Sequence, residues 1–503
     1  MSEIKKIETE FLNYVKKMTA YQEAIHLIYW DLRTGAPKNG VTHRSEVISL
    51  LSSEVFQMST SEEMAAYIAK LSRFKNEVSK ITQKTLEDCK QEYDRNKKNP
   101  IEEYKDYVML QSEAQSIWGE AKEKSDFNLF RPYLEKLVDT NKRFIEYWGY
   151  EGNKYNTLLD LFEPGVTVAV LDKVFEELRE NIVPLVKEVS ESPYQPETAF
   201  LFEHFSKEKQ RQFSVEILRQ IGYNFHAGRL DETIHPFAIS LNPGDVRVTT
   251  NYNEKDFRSA VFGTIHEGGH ALYEQNISKE LIGTSLCTGT SMGIHESQSL
   301  FYEYFIGRHY SFWVKNYDLL KKFSNGQFDN VTLENFYRAI NQSKPSLIRI
   351  EADELTYPLH IIIRYEIEKG LFNDEIDVKD LPQIWNDKYE EYLGIRPKND
   401  GEGVLQDVHW AGGSFGYFPS YALGYMYAAQ FKAALVKDIP SFDELLAKGH
   451  LQPIRKWFTY HIHQYGKMKK PLEILTDVTG EGLNAKYLID YLYDKYRKVY
   501  QLI

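Results

Sequence analysis

Apolar residues recur at helical spacing from the start of the chain. Ile4, Ile7, Phe11, Val15 and Met18 form one stripe, which predicts an amphipathic opening helix, and Glu/Lys-rich helical patterning continues through much of roughly the first 160 residues. The polar run Asp94-Arg-Asn-Lys-Lys-Asn-Pro100 reads as a connection between helices, and Ser192-Pro-Tyr-Gln-Pro196 as a second break, with helix resuming over Phe200 to Gly222. The pattern changes to short β-branched or apolar runs at Phe237–Leu241 and Val246–Asn251, separated by the turn Asn242-Pro-Gly-Asp245, which predicts a hairpin. Helical spacing returns with Phe257, Val261, Ile265, Leu272 and Tyr273, for which Asp256 is the expected N-cap, and again over Ile294–Phe305 after the loop Gly289–Gly293. The expected class is mainly α with a small sheet. No internal repeat or low-complexity linker divides the 503 residues. Their number exceeds one ordinary core, so a single unit with two helical lobes is expected, its boundary unreadable.

The helix after the hairpin carries His266, Glu267 and His270. Residues four apart share a helix face, so both imidazoles can hold one metal ion while Glu267 points into the same space, the arrangement that zinc hydrolysis requires. The alternative is a chance pairing of core histidines. Gly268 and Gly269 follow, each costing about 1 kcal/mol relative to Ala in a helix interior, so a neighbour is expected to approach that surface closely. A catalytic zinc needs a third protein ligand. Glu274 continues the series but lies roughly 12 Å along the axis from His266, too far to share an ion. No histidine follows a glycine turn after His270, which excludes a metzincin. Glu296, at the start of the next helix, is the expected third ligand, with Glu303 the competitor; Glu296 could instead be a first-turn carboxylate favoured by the helix dipole.

His266-Glu-Gly-Gly-His270 followed by His295-Glu-Ser-Gln298 resembles the M32 metallocarboxypeptidases, the carboxypeptidase Taq family. Asp245-Val-Arg-Val-Thr249, Ile348-Arg-Ile-Glu-Ala-Asp353 and Gly403-Val-Leu-Gln-Asp-Val-His-Trp410 match three more of its blocks, in the family's order. Trp30-Asp31 with Thr34 and Pro37, Gly228-Arg-Leu-Asp231 and His235-Pro-Phe237 extend the similarity over nearly the whole chain. The resemblance implies a helical protein with a deep groove, a small sheet near the metal, a homodimer, and removal of C-terminal residues from peptides with broad side-chain tolerance. A cation at the site would acidify its water and polarise the scissile carbonyl, with Glu267 as general base and then general acid. Zinc, one per chain, suits the ligand set; cobalt or manganese could occupy it too.

Exopeptidase action needs a group that reads a terminal carboxylate, for which arginine's planar fork is suited. The resemblance implies Arg349 for this role, with His409 as company; the alternative is an internal salt bridge to Glu351, Asp353 or another carboxylate. Tyr417, Tyr421 and Tyr425 are spaced by four, and Tyr421 is the candidate hydroxyl for the oxyanion or the substrate terminus. Gln406 and Asp407 are expected to orient His409. Asp245 and Arg247 either hold the hairpin or meet substrate, and one strand of the hairpin could pair with an extended peptide as an edge.

Composition narrows the setting. With 42% hydrophobic and 27% charged residues the chain is that of a soluble globular protein, and a formal charge of -12 disfavours nucleic acid as a partner. The opening Met1-Ser-Glu-Ile-Lys-Lys-Ile-Glu is charged and no stretch approaches membrane-spanning length, so a cytoplasmic protein without a membrane partner is expected. Cys89 and Cys287 are too few for a disulfide framework and read as buried thiols. Two rivals remain: a helical zinc oligopeptidase cutting internal bonds, and a catalytically silent helical binding protein.

Overall fold

The computed structural model describes residues 3–502. Helices dominate, as the 3.6-residue periodicity predicts, and they bury two separate clusters of apolar side chains. The smaller is built by the first helices, Glu3–Thr34, Val41–Ser59, Glu62–Arg73 and Lys80–Lys98, around Phe11, Val15, Met64 and Leu71. The larger runs from Tyr107 to Tyr500 and contains both the metal-helix stripe and the aromatic-rich C-terminal helices. Helix Lys80–Lys98 continues through most of the polar run that was expected to be a connection, so only Asn99 and Pro100 link it to the next helix, Ile101–Lys124. Polar composition there marks a solvated helix face, and only the proline forces an end. Cys89 is buried and Cys287 half-buried, both free thiols. No helix among the described residues is long and apolar enough to cross a membrane.

The hairpin forms: β2 (Ala238–Asn242) pairs antiparallel with β3 (Asp245–Thr250), with a bulge at Ser240/Asn242. A third strand, β1 (Leu230–Glu232), adds in parallel on the other side of β3, giving the order β1-β3-β2. Its three residues carry too little pattern to be read beforehand. β3 is therefore central, and only β2 of the hairpin lies at an edge. The opening helix already engages that strand, with the His26 Nδ1–H donating to the Ser240 carbonyl at 3.1 Å and Asn242 Nδ2 donating to Glu23 at 2.9 Å. Arg247 grips Asp245 through two hydrogen bonds and lies over the Trp30 ring, whose centroid is 4.4 Å from its guanidinium carbon. This pair thus ties the sheet to the opening helix.

The metal helix, Arg258–Gln275, lies against β3, where the Thr264 hydroxyl donates to Thr250 Oγ1 at 3.0 Å, and the stripe Phe257, Val261, Ile265 and Leu272 is buried in the larger core, each such side chain contributing about 1.5–3 kcal/mol. Its N-cap is Phe257, one residue later than expected; Asp256 still accepts from the Arg258 N–H at 3.1 Å and pairs with the Arg258 guanidinium. The next helix is α only over Met292–Leu300 and then widens into a π-helical segment, Phe301–Gly307.

Candidate active site

His266, Glu267 and His270 sit on the middle turns of the metal helix, and the two glycines explain how other elements reach it. A Cβ on Gly269 would lie 2.5 Å from the Gln298 carbonyl oxygen, and one on Gly268 would lie 2.8 Å from Ile221 of the helix Lys207–Ile221. The loss of helix propensity at these positions is therefore matched by close packing on two sides. On the far side, Gly424 of the helix Pro419–Asp438 permits the same approach, since a Cβ there would meet Glu296 Cβ at 2.6 Å. Glu296 is thus wedged between two helices and aimed at the imidazoles.

Its Oε2 lies 3.4 Å from His270 Nε2 and 3.8 Å from His266 Nε2. One ligand atom from each of the three residues falls within 4.8 Å of the other two. Tetrahedral coordination with bonds of about 2.0–2.2 Å places ligand atoms roughly 3.4 Å apart, so this donor set fits a divalent cation with little adjustment. Glu303, the competing carboxylate, binds His266 Nδ1 instead, at 3.0 Å, on the side of the ring away from Glu296. It is braced by Arg308, whose Nη2 donates to it at 3.1 Å. On the other imidazole, His270 Nδ1 lies 2.6 Å from His295 Nδ1, and His295 Nε2 lies 3.0 Å from Glu274 Oε1. Sequence reasoning missed Glu163, which is buried and caps the helix Met292–Leu300, accepting from the Gly293 N–H at 2.8 Å and the Ser291 hydroxyl at 2.9 Å. No local motif marks it, because it lies about 130 residues earlier.

The electrostatics are those of a site built for positive charge. Burial lowers the His266 pKa, but the Glu296 charge and the Glu303 hydrogen bond outweigh it and raise the group to about 10. Burial dominates at His270 and, with two neighbouring imidazoles, holds it at about 4 against Glu296. Glu296 is pulled down to about 2 because His266 and His270 outweigh its burial. Burial pushes Glu267 up to about 7, opposed by His266 and reinforced by Glu296. A cation held here competes with the proton on His266, so binding releases it.

A second polar cluster lies on the segment that follows. Arg349, 6% exposed, donates from Nε and Nη2 to Asp407 Oδ1 at 3.0 and 2.8 Å. Fully buried Arg364 takes the other oxygen of the same carboxylate at 2.7 Å. One carboxylate between two guanidiniums leaves a positive charge over. Gln406 Oε1 accepts from the Arg349 backbone N–H and from Arg364 Nη2, at 2.9 and 2.8 Å. Gln406 and Asp407 therefore position the arginines rather than His409, as was expected of them; two fixed cations are the stronger claim on a buried carboxylate. Asp353 takes no part, since it accepts from Ser343, Lys344 and Thr356.

His409 Nε2 lies 3.3 Å from the Tyr421 hydroxyl, and its ring centroid lies 4.4 Å from that of Phe418, the two rings tilted by 34°. Burial and the two arginines outweigh Asp407 and hold this imidazole neutral, at about 4. Tyr421 places its ring 4.9 Å from the Arg349 guanidinium carbon and meets Tyr417 edge-on. Tyr425, next in the series, turns away and donates to Glu354 at 2.9 Å. Tyr357 also belongs to the cluster. Its ring lies 6.3 Å from that of Tyr421, edge to face, and its hydroxyl is held up by burial against the Arg349 charge. Its position eight residues after Arg349 at the start of a buried helix gave no chemical signal.

Known proteins resemble this chain across nearly their full length. The family model described as carboxypeptidase Taq (M32) metallopeptidase matches residues 10–496. Carboxypeptidase 1 of Bacillus subtilis (strain 168) is 58% identical, the alignment covering 99% of this chain and 100% of the relative. Thermostable carboxypeptidase 1 of Thermus thermophilus is 38% identical, over 96% of this chain and 97% of the relative. The crystal structure of an M32 carboxypeptidase from Deinococcus radiodurans R1 superposes with a TM-score of 0.95 at 32% identity, covering 99% of this chain and 100% of that one. With the family model spanning the sheet and both polar clusters, this chain belongs to the carboxypeptidase Taq (M32) metallopeptidase family.

Proposed function

We propose that this metal-dependent carboxypeptidase binds its cation through His266, His270 and Glu296, and removes single residues from the free C-terminus of peptides with broad side-chain tolerance. The observation that carries the ligand assignment is the convergence of one donor atom from each residue within 4.8 Å, beside a buried Glu267. When bound, the cation would acidify a water and polarise the scissile carbonyl. Glu267 takes the proton of the attacking water on a carboxylate oxygen and delivers it to the nitrogen of the departing amine. Arg349, locked in place by Asp407 and carrying the uncompensated charge of the triad, receives the terminal carboxylate of the substrate. His409 holds the Tyr421 hydroxyl, which donates to the substrate terminus or to the developing oxyanion. Zinc is the proposed native ion, with cobalt or manganese as competent substitutes, and the protein is proposed to work in the cytoplasm as a homodimer.

The test uses metal-depleted protein restored with zinc and offered peptides with free, amidated or N-terminally blocked ends. Stepwise loss of C-terminal residues from free and N-blocked peptides, and near-silence on amidated ones, is expected. Cleavage of amidated peptides at internal bonds would make the protein an oligopeptidase, and full trimming by metal-free protein would remove the cation from the reaction.

A further inference from the structure

The two candidate ligand histidines are held by different partners. His266 Nδ1 meets a carboxylate, Glu303, which is the ordinary companion of a metal-binding imidazole. His270 Nδ1 meets another imidazole, and only beyond it, through His295, a carboxylate. We infer that His295 and Glu274 form a relay that fixes the tautomer and ring orientation of His270, which makes them positioning residues for the cation. This rests on the ligand role proposed for His270.

The proton count allows one arrangement that leaves His270 able to bind. Two Nδ1 atoms 2.6 Å apart must share one proton. Glu274 Oε1 already accepts from the Gly289 N–H at 2.8 Å and the Thr288 hydroxyl at 3.2 Å, so it is an acceptor in every contact it makes. It therefore receives the Nε2–H of His295. A neutral His295 with its proton on Nε2 has a lone pair on Nδ1, and His270 Nδ1–H must donate to it. That leaves the lone pair of His270 on Nε2, the atom 3.4 Å from Glu296. The reverse order would put the shared proton on His295, make that ring an imidazolium and leave a proton on His270 Nε2, where it would block coordination.

The relay is rigid as well as directional. His295 packs against Tyr273, ring centroids 5.2 Å apart, and under Gly289, where a Cβ would come within 2.6 Å of its Cδ2. Glu274 is buried, two turns beyond His266 on the metal helix, so it acts on the site although it cannot reach the ion itself. One helix thus supplies both a ligand and the far end of that ligand's support.

The full-length protein, stripped of metal, can be titrated with Co²⁺ by visible absorption and by chelator competition. His295→Ala is expected to bind Co²⁺ about 10–100-fold more weakly and to alter its absorption bands. His295→Gln, whose Oε1 can accept from His270 Nδ1–H, should recover part of the affinity. Glu274→Gln keeps an acceptor for the Gly289 N–H and should lose less, and it should add nothing to His295→Ala in the double variant, because it acts through His295. Unchanged affinity and bands in His295→Ala, or additive losses in the double variant, would overturn the relay. If His295→Ala does not fold, unchanged binding by Glu274→Gln overturns it equally. Failure of the unaltered protein to bind Co²⁺ would be a different result, removing the ligand assignment itself.

Discussion

The ligand cluster and the arginine cluster are both buried polar islands on one helical scaffold, and they carry opposite charge. Around His266 and His270 stand Glu267, Glu296, Glu303 and Glu274, with the Arg308 guanidinium joined to Glu303. Around Asp407 stand Arg349 and Arg364. Each cluster is incomplete in the sense that suits the ligand proposed for it: the first has carboxylates in excess for a divalent cation, the second a guanidinium in excess for a carboxylate. Such excess is costly in a low-dielectric interior unless a ligand or solvent balances it. The difference also teaches where recognition is separable from chemistry. Tyr357 and Tyr421 pack beside Arg349 in the second cluster, so recognition there can be altered without touching the first.

The sharpest way to break the comparison is at the general base. Glu267→Gln should lower kcat by about 10³–10⁴-fold with bound metal unchanged, measured by turnover and metal analysis on the same sample. Normal turnover would take Glu267 out of the mechanism. At the other end, Arg349→Ala should cost about 10²-fold in kcat/KM on free-carboxylate peptides and far less on any residual cleavage of amidated ones. Equal losses on both would make the triad a structural feature only.

Two smaller effects test the packing that brings the islands together. Gly424→Ala forces a methyl group against Glu296 Cβ and should destabilise the fold by about 1–3 kcal/mol while weakening metal binding, read by thermal unfolding with and without zinc. Wild-type metal affinity in that variant would mean that Glu296 needs no close approach. Glu163 supplies a pH signature. Burial raises it to about 7 against its hydrogen bonds from Gly293, Ser291 and Tyr427. A carboxyl with a raised folded-state pKa contributes stability that is present below its unfolded value, near pH 4, and is lost as pH rises through about 7. Glu163→Gln should therefore remove about 2–3 kcal/mol of the stability lost between pH 5 and pH 8, seen as a flatter dependence of Tm on pH. An unaltered slope would assign the dependence to other groups.

Much of this was legible in residue order alone because it depends on short-range geometry. The i, i+4 pair His266 and His270, the turn at Asn242–Asp245 and the 3.6-residue stripes are set by backbone periodicity within a few residues, and all appear in the fold. The paired glycines at 268 and 269 announced a close approach without saying by what. The structure supplies two answers, the helix Met292–Leu300 for one and the helix Lys207–Ile221 for the other. Where local chemistry offered equivalent choices, the order of residues could not decide. Glu296 and Glu303 are both carboxylates on one helical run, and the π-helical widening after Leu300 together with the Arg308 contact assigns Glu303 to the back of His266.

Residue order by itself thus determined the helical class, the hairpin, the placing of His266 and His270 on one helix face and the family resemblance, since each is written in neighbouring positions or in ordered blocks. Tertiary structure alone decided the partners: Glu163 capping a helix about 130 residues away, Asp407 shared by two arginines, Tyr357 packed against Tyr421, and His295 linking His270 to Glu274. The physical reason is that a buried hydrogen bond or ion pair depends on distance and orientation across packed elements, and those are set by the packing of whole helices rather than by spacing along the chain.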